Sequence, residues 1–333
     1  MNKYLRNAVI SLIILFALFG ALAGATGALT VLGRADLFLL AWACLFSIGS
    51  IVIWVISWAY LVRKRHNVPY SKLAEIGFSS VYGALTPIQL GAEALRSILL
   101  KNRHNVPYSD SISASMVAKG AKFLVILIAA LIVFFLFLCT MPMGIALLIA
   151  FLSGFAVIAL AVLVFLAPFN KALAGIITSC IEKLSGRISF ISPLHRLTCR
   201  YVSYLSETKS SFLLILALSL VSWALEVLAL QFSFLALGIS LYLRPLLILA
   251  ALASILERAP FLPRGIGAVE FVGAYVLFYI PNMAPQQFSL GEIAAVLILF
   301  DVVRLVVPTI LSILFAALSL KFPEQGKYKE AVN

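Results

Sequence analysis

Charge is scarce in this chain, and acid is scarcer than base: of 333 residues, 13 are Asp or Glu and 25 are Lys or Arg. Histidine and cysteine are rarer still, at three and four. His66, His104 and His195 all fall in basic stretches and read as solvated surface, while Cys44, Cys139, Cys180 and Cys199 are scattered. Neither a metal site nor a disulfide framework follows from such spacing, and an isolated cysteine behaves as a small hydrophobe. P-loop, HExxH and GxSxG patterns are missing, as is any long polar stretch that could fold as a soluble catalytic domain. The chain is expected not to be an enzyme and to carry no cofactor.

What is present is apolar. Hydrophobic residues make up 63% of the chain and mean hydropathy is +1.11, against roughly 45–50% apolar residues in soluble domains. The expectation is an all-α polytopic membrane protein, with 1–333 as a single integral membrane domain. A formal charge of +12 could suggest nucleic acid, but the cations sit in clusters flanking apolar segments. The clusters are Lys3 and Arg6; Arg63, Lys64, Arg65 and Lys72; Lys101, Arg103, Lys119 and Lys122; Lys171 to Lys209; and Lys321, Lys327 and Lys329. A positive-inside bias facing anionic headgroups explains them, and no nucleic-acid partner is expected.

Six stretches reach the roughly 20 residues a span requires: 8–32, 37–62, 121–140, 144–167, 212–237 and 293–320. The first resembles a signal peptide in its basic start, but it is too long for an h-region of about 7–15 residues. With both termini cytoplasmic in the cell membrane, every basic cluster falls inside, and the outer loops carry only Arg34 and Arg244 as cations. The first half (1–169) then contains a hairpin at 71–102, and a cytoplasmic amphipathic segment occupies 170–210. The second half (211–320) contains a hairpin at 246–280, and 321–333 is a short cytoplasmic tail.

The two hairpins are the informative feature. Thr86-Pro87-Ile88-Gln89-Leu90-Gly91-Ala92-Glu93-Ala94-Leu95-Arg96 and Glu257-Arg258-Ala259-Pro260-Phe261-Leu262-Pro263-Arg264-Gly265-Ile266-Gly267-Ala268-Val269-Glu270 each place proline, glycine, carboxylate and arginine inside apolar sequence. Backbone breaks and charges are tolerated in hydrocarbon only where they line protein or a polar path. The apolar arms, 73–85 with 88–100 and 246–259 with 267–280, are too short to cross alone. They suggest two re-entrant helical hairpins entering from opposite faces, as in inverted-repeat transporters. Thr86 as a cap with Pro87 at the first helical position would start a half-helix at the first tip; at the second, Pro263 and Gly265 would break the helix and Gly267 would open the next half-helix, with Glu270 in its first turn. Helix N-termini and arginines converging there make an anion site, with guanidinium suited to phosphate. The intramembrane cations on this reading are Arg96, Arg258, Arg264 and Arg304, and none is lysine. Asp301 and Arg304, three apart, suit a structural ion pair as well as function. Glu226 has no partner on its own helix, so it either pairs with a hairpin arginine or is a protonatable coupling residue.

One heptapeptide recurs. Arg65-His66-Asn67-Val68-Pro69-Tyr70-Ser71 returns as Arg103-His104-Asn105-Val106-Pro107-Tyr108-Ser109. The plain reading is two similar helix-starting turns with Ser71 and Ser109 as N-caps; a paired headgroup contact is the alternative.

The two motifs resemble those of the lysylphosphatidylglycerol synthase transmembrane-region family, also called UPF0104 or flippase-like integral membrane proteins. The family pattern Pro-x-x-x-Gly-Gly-(Glu/Asp)-x-x-Arg is matched by Pro87, Gly91, Glu93 and Arg96, and Pro-Gly-Gly-x-Gly-x-x-Glu by Pro263, Gly265, Gly267 and Glu270. Ala92 and Arg264 stand where the patterns have glycine, and Ala118-Lys119 where an acid-Arg pair is common. The resemblance implies the lipid-flipping half of the multiple peptide resistance factor without its aminoacyltransferase domain, so lysyl transfer is not expected. The expected function is movement between leaflets of a phosphate-bearing lipid: a phospholipid, an aminoacyl-phosphatidylglycerol or a polyprenyl-phosphate-linked carrier. A non-transporting scaffold for a separate lipid-modifying transferase, or an ion or small-solute secondary transporter, is the alternative. Partners would be those lipids and such a transferase, with oligomeric state open.

Overall fold

The computed structural model describes residues 26–85, 91–138, 201–204, 206–257, 268–279 and 288–321, with isolated residues between 9–24 and 175–199. Among the described residues there are helices and no strands. In chain order they are α1 (Ala28–Leu32), α2 (Leu37–Arg65), α3 (Tyr70–Ser79), a 3₁₀ turn (Val81–Leu85), α4 (Gly91–His104) and α5 (Tyr108–Leu138). After a 3₁₀ turn at Lys209–Ser211 come α6 (Phe212–Ala236), α7 (Leu243–Leu256), α8 (Ala268–Tyr279), α9 (Leu290–Asp301), a π turn (Val302–Val306) and α10 (Val307–Lys321).

Four helical runs are long and apolar enough to cross a bilayer: Leu37–Arg65, Tyr108–Ile132, Lys209–Ala236 and Leu290–Leu318. The chain is an integral membrane protein. Expected spans 37–62, 212–237 and 293–320 coincide with three of these runs; 144–167 and part of 8–32 lie outside the described residues.

The third span differs from expectation in a way that matters. It begins at Tyr108, thirteen residues before the expected 121. The cause is the repeated heptapeptide. Each copy leaves the helix before its proline, the second through Asn105 at a left-handed φ of 55°; the proline ring biases the preceding residue away from helix, and each proline carbonyl accepts an early helical N–H: Leu73 to Pro69 at 3.1 Å, Ser111 to Pro107 at 3.2 Å. Ser71 and Ser109 therefore fall within the first turn, and neither is the N-cap that was expected. Val68 and Val106 are both buried in one cluster with Trp58, Leu73, Leu100 and Tyr204, which explains why the repeat keeps an apolar residue there.

Helices α2 and α6 run antiparallel along their whole length. Asp36 N–H donates to the Ala236 carbonyl at 2.7 Å, Ser50 Oγ lies 2.9 Å from Ser222 Oγ, Tyr60 Oη 2.9 Å from Ser211 Oγ, and Lys64 Nζ donates to the Glu207 carbonyl at 3.0 Å. The seam is built of small buried residues, Ala43, Ser47, Ser50 and Ser57 against Ser219, Ser222, Ala229 and Ser233. Small residues at four- and three-residue spacing let helix backbones approach where hydrocarbon gives no drive to associate. Asp36 starts α2 by accepting from Phe38 N–H at 2.8 Å, and Arg63, Lys64 and Arg65 end it, in keeping with the helix dipole.

At that basic end Arg65 forks onto Glu207, Nε–Oε2 2.6 Å and Nη2–Oε1 2.5 Å, and stacks on Tyr204 with 4.6 Å to the ring centroid. His66 Nε2 lies 3.0 Å from Asp110 Oδ2, joining the two copies of the repeat.

The interrupted regions hold short helices. At 1.5 Å per residue, α3 and α4 span about 15 and 21 Å, α7 and α8 about 21 and 18 Å, each short of a ~30 Å core. In the first, the arms meet backbone to backbone: a Cβ on Gly83 would lie 2.8 Å from Gly91 C and O and from Ala92 N. Only glycine fits.

Two outcomes follow. Gly83→Ala should lower stability by about 1–3 kcal/mol, the usual cost of overpacking, seen as a fall in the detergent-solubilised melting temperature; Gly20→Ala, with no atom of the described residues within 4 Å of its Cβ, should not lower it. Hydrogen bonds from Arg65 hold the Glu207 carboxyl below the usual carboxylate range. A carboxyl depressed in the folded state contributes stability above its ordinary value and loses it as pH falls through the folded one. Glu207→Gln should therefore soften the drop in melting temperature between pH 7 and about pH 4, modestly, because the pair is solvent-screened.

Candidate functional site

Three clusters of charge lie among the apolar helices, and each is assembled from helices far apart in sequence. In the first, Glu93 sits in the first turn of α4 and pairs with Lys119 of α5. One turn on, Arg96 is 1% exposed. Its Nε donates to Ser80 Oγ at 3.1 Å and its Nη1 to Ser115 Oγ at 3.0 Å. Its guanidinium lies against two indoles one turn apart on α2, 4.5 Å from the Trp54 centroid and 4.8 Å from Trp58. A desolvated cation over an aromatic face gains about 2 kcal/mol, and Arg suits this better than Lys because its plane can stack while its edge donates.

The second cluster is the polar centre of the α2–α6 seam. Glu226, midway along α6, accepts from Lys122 Nζ at 2.6 Å and from Ser50 Oγ at 3.0 Å; Lys122 also donates to Ser222 Oγ at 3.0 Å. Among the described residues, Glu226 is thus paired with a lysine of α5. Lys122 is buried, which overturns the expectation that intramembrane cations are all arginine.

The third cluster surrounds Arg304 on the π turn. Its Nε and Nη2 both reach Asp301 Oδ1, at 2.6 and 2.5 Å. Its Nη1 donates to Glu257 Oε1 at 2.6 Å, and Nη2 lies 3.5 Å from Glu270 Oε1. Glu257 follows the last residue of α7 and Glu270 is in the first turn of α8, so one guanidinium ties both sides of the second break to the last span. Pro308 has no N–H for the Arg304 carbonyl four residues back, and the interrupted ladder there accounts for the π geometry.

The first break is tied to the same span. Ser312 Oγ accepts from Tyr82 N–H at 3.0 Å and donates to the Phe78 carbonyl at 2.6 Å. Arg304 and Ser312 are eight residues apart, about 12 Å of helix. A cavity of about 160 Å³ is lined from beside both breaks, by Ala92, Glu93 and Arg96 of α4 and by Glu257, with Lys119, Lys122 and Glu226 completing its charged wall. Lys119 is 46% exposed along its side chain, so the cavity reaches the surface. A smaller void of about 30 Å³ continues past Glu226 and Glu257 to Arg304.

Of the residues singled out in the sequence, Glu93, Arg96, Glu226 and Glu257 line this cavity, Gly91 packs against Gly83, and Glu270, Asp301 and Arg304 form the adjoining cluster. Thr86, Pro87, Arg258, Pro263, Arg264, Gly265 and Gly267 lie outside the described residues. Lys119 and Lys122, assigned in the sequence to a cytoplasmic flank, were missed as site residues. The repeat held the clue: if its second copy starts a helix at Tyr108, Lys122 lies fourteen residues in, about 21 Å along the axis.

Short helices meeting around a charged cavity between helices long enough to cross a bilayer define an integral membrane protein with a polar site among its spans. The family model described as the lysylphosphatidylglycerol synthase TM region matches residues 7–312, and the chain belongs to that family. It is similar to two proteins named UPF0104 membrane protein from Methanothermobacter thermautotrophicus. One is 25% identical over 280 residues, covering 79% of this chain and 78% of the relative. The other is 25% identical over 244 residues, covering 66% and 68%. No solved structure matches the chain.

Removing one partner of a buried ion pair leaves an uncompensated charge, which costs about 3–5 kcal/mol when burial is complete. Lys122→Met should cost up to about 3 kcal/mol, because Glu226 keeps part of its exposure. Lys122→Met with Glu226→Leu should recover most of the loss, as read by thermal unfolding in detergent.

Proposed function

We propose that the protein moves a phosphate-bearing lipid between leaflets, with the headgroup in the Glu93–Arg96–Glu226–Glu257 cavity and the acyl or prenyl tails left in the bilayer. The observation that carries this reading is the cavity itself. It is lined from both interrupted segments, it opens at Lys119, and it is walled by cations on three helix turns: Arg96, Lys119 and Lys122. At about 160 Å³ it is smaller than the roughly 300–1,000 Å³ of a pocket that swallows a whole ligand. That size suits a headgroup whose tails stay outside. On this reading 71–102 and 246–280 are re-entrant hairpins from opposite faces, both termini are cytoplasmic, and Thr86, Pro87, Gly91, Arg258, Pro263, Arg264, Gly265 and Gly267 form the tips around the phosphate.

The wall also carries Glu93, Glu226 and Glu257. Acid and base in equal number favour a headgroup that bears both charges, with phosphate drawn to guanidinium and ammonium and an amine drawn to the carboxylates. An aminoacyl-phosphatidylglycerol answers this description better than a simple polyprenyl phosphate does. The family's name, taken from a lysylphosphatidylglycerol synthase, agrees with that choice. With no nucleotide site in the sequence, movement is facilitated or ion-coupled, and no bond-making chemistry is assigned to this chain.

The test is transfer of labelled lipids in reconstituted vesicles. Wild-type protein should transfer an aminoacyl-phosphatidylglycerol faster than an anionic phosphatidylglycerol. Replacing the cavity-edge pair by neutral isosteres, Glu93→Gln with Lys119→Gln, should slow transfer by at least about tenfold, the equivalent of one lost contact of about 1.4 kcal/mol. Transfer no faster than in protein-free vesicles would sink the proposal, and co-purified lipid identified by native mass spectrometry would name the headgroup.

A further inference from the structure

The duplicated heptapeptide takes two backbone conformations from one sequence. In the first copy α2 ends at Arg65, and His66 is extended, with φ −129° and ψ 130°. His66 N–H donates to the Val62 carbonyl at 3.0 Å, and the His66 carbonyl accepts from Val68 N–H at 2.8 Å. In the second copy α4 runs one position further, through His104, and Asn105 takes the left-handed φ of 55°. Asn105 N–H then donates to the Lys101 carbonyl at 3.1 Å. Among the described residues other than glycine, Asn105 is alone in having a positive φ, so its counterpart Asn67 is in a different state.

Identical sequences have identical intrinsic preferences, so only the surroundings can choose between the two states. Asparagine is among the few side chains that enter the left-handed region readily. Both asparagines are exposed, and the valine after each is buried in the same apolar cluster. A change of state at the asparagine therefore leaves the buried anchor in place. The first copy is pinned by Glu207 on Arg65 and by Asp110 of α5 on Arg65 and His66. The second meets Glu75 of α3 through Arg103.

The second copy is the turn between α4 and α5, and those helices meet through polar contacts along their length. Ser97 Oγ donates to Ser111 Oγ at 3.0 Å, Arg96 Nη1 donates to Ser115 Oγ at 3.0 Å, and Glu93 pairs with Lys119. Glu93 lies eleven residues before His104, about 16 Å along the axis, so a tilt at the turn moves it furthest. At that far end Gly91 packs on Gly83, a backbone contact with no side chains to interlock.

We propose that the second copy is a two-state hinge that sets how α4 sits on α5. Left-handed at Asn105, it seats α4 as seen here, with Glu93 and Lys119 paired across the cavity mouth. In the extended state that the first copy shows, it ends α4 one residue sooner and draws Glu93 away from Lys119. A few residues at an element's end then absorb the φ/ψ change while packed helices slide. The pinned first copy is the fixed end of the same segment. That the movement admits a headgroup rests on the lipid-moving reading; the hinge does not.

The experiment is thiol labelling of Ser97→Cys in the full chain in lipid vesicles, with the four native cysteines replaced by alanine. Ser97 is buried on the α4–α5 contact, so its labelling rate reads separation of the two helices. Asn105→Val, whose branched side chain disfavours a positive φ, should raise that rate about tenfold. Asn67→Val, the same change in the same sequence, should leave it unchanged. Asn105→Gly relieves the side-chain cost of the left-handed state and should slow labelling. A buried Ser233→Cys on α6 stays protected while the fold is intact. Equal rates in wild type and Asn105→Val with Ser233→Cys still protected overturn the hinge, as does an equal rise in Asn67→Val. Where Asn105→Val also exposes Ser233→Cys it has unfolded, and an Asn105→Gly rate no slower than wild type then overturns the hinge. Lipid transfer is measured separately, so the expected labelling pattern without transfer supports the hinge and sinks only the lipid-moving reading.

Discussion

A charge placed among apolar helices has no water to solvate it, so the protein must supply its partner from another helix. That constraint organises this chain more than any packing preference does. Each charged cluster crosses between elements: Glu93 of α4 to Lys119 of α5, Lys122 of α5 to Glu226 of α6, and Arg304 to Glu257 and Glu270 on either side of the second break. Hydrophobic burial contributes little to choosing one helix arrangement over another in lipid, because the tails are as apolar as the side chains. Paired charges and serine contacts choose it instead. The α2–α6 seam shows both devices, with small residues permitting close approach and the Ser50–Ser222–Glu226 contacts fixing its register.

The last span is the element on which the two interruptions are built. Its π turn carries Arg304 to the second break, and two turns later Ser312 holds the first by one accepted and one donated hydrogen bond. A helix that anchors both half-helical segments within about 12 Å sets the distance between them and so the size of the cavity they line. The charges at the two ends differ in character. Arg96 is held by hydroxyls and indoles, whereas Arg304 pairs with Asp301, Glu257 and Glu270.

Much of this was legible in the chain. The apolar runs marked the spans, because 20 residues of helix and the thickness of hydrocarbon are the same length. The prolines and glycines near Gly91 and Gly267 marked the interruptions, and Glu93, Arg96, Glu226, Glu257, Glu270, Asp301 and Arg304 stood out as charge in apolar sequence. Lys119 and Lys122 did not stand out, because a lysine at the edge of an apolar run looks the same whether it flanks a helix or lies within one. The deciding fact was where α5 begins, and Pro107 and the buried Val106 settle that through contacts with distant residues. The expected serine caps at 71 and 109 failed for a related reason: the proline carbonyl starts the helix, and the side-chain cap is not used.

Composition and local pattern alone determined that the chain lives in the membrane, where most of its long apolar helices run, and which charged side chains stand among them. These are properties of single segments, set by helix rise, backbone hydrogen bonding and the expense of charge in hydrocarbon. Which acid answers which base was decided only in three dimensions. Glu226 could have paired with any cation at its depth, and nothing in its own helix favoured Lys122; the antiparallel α2–α6 seam and the early start of α5 brought the two together. Pair identity depends on helix register and rotation, and those are fixed by contacts between residues a hundred or more positions apart.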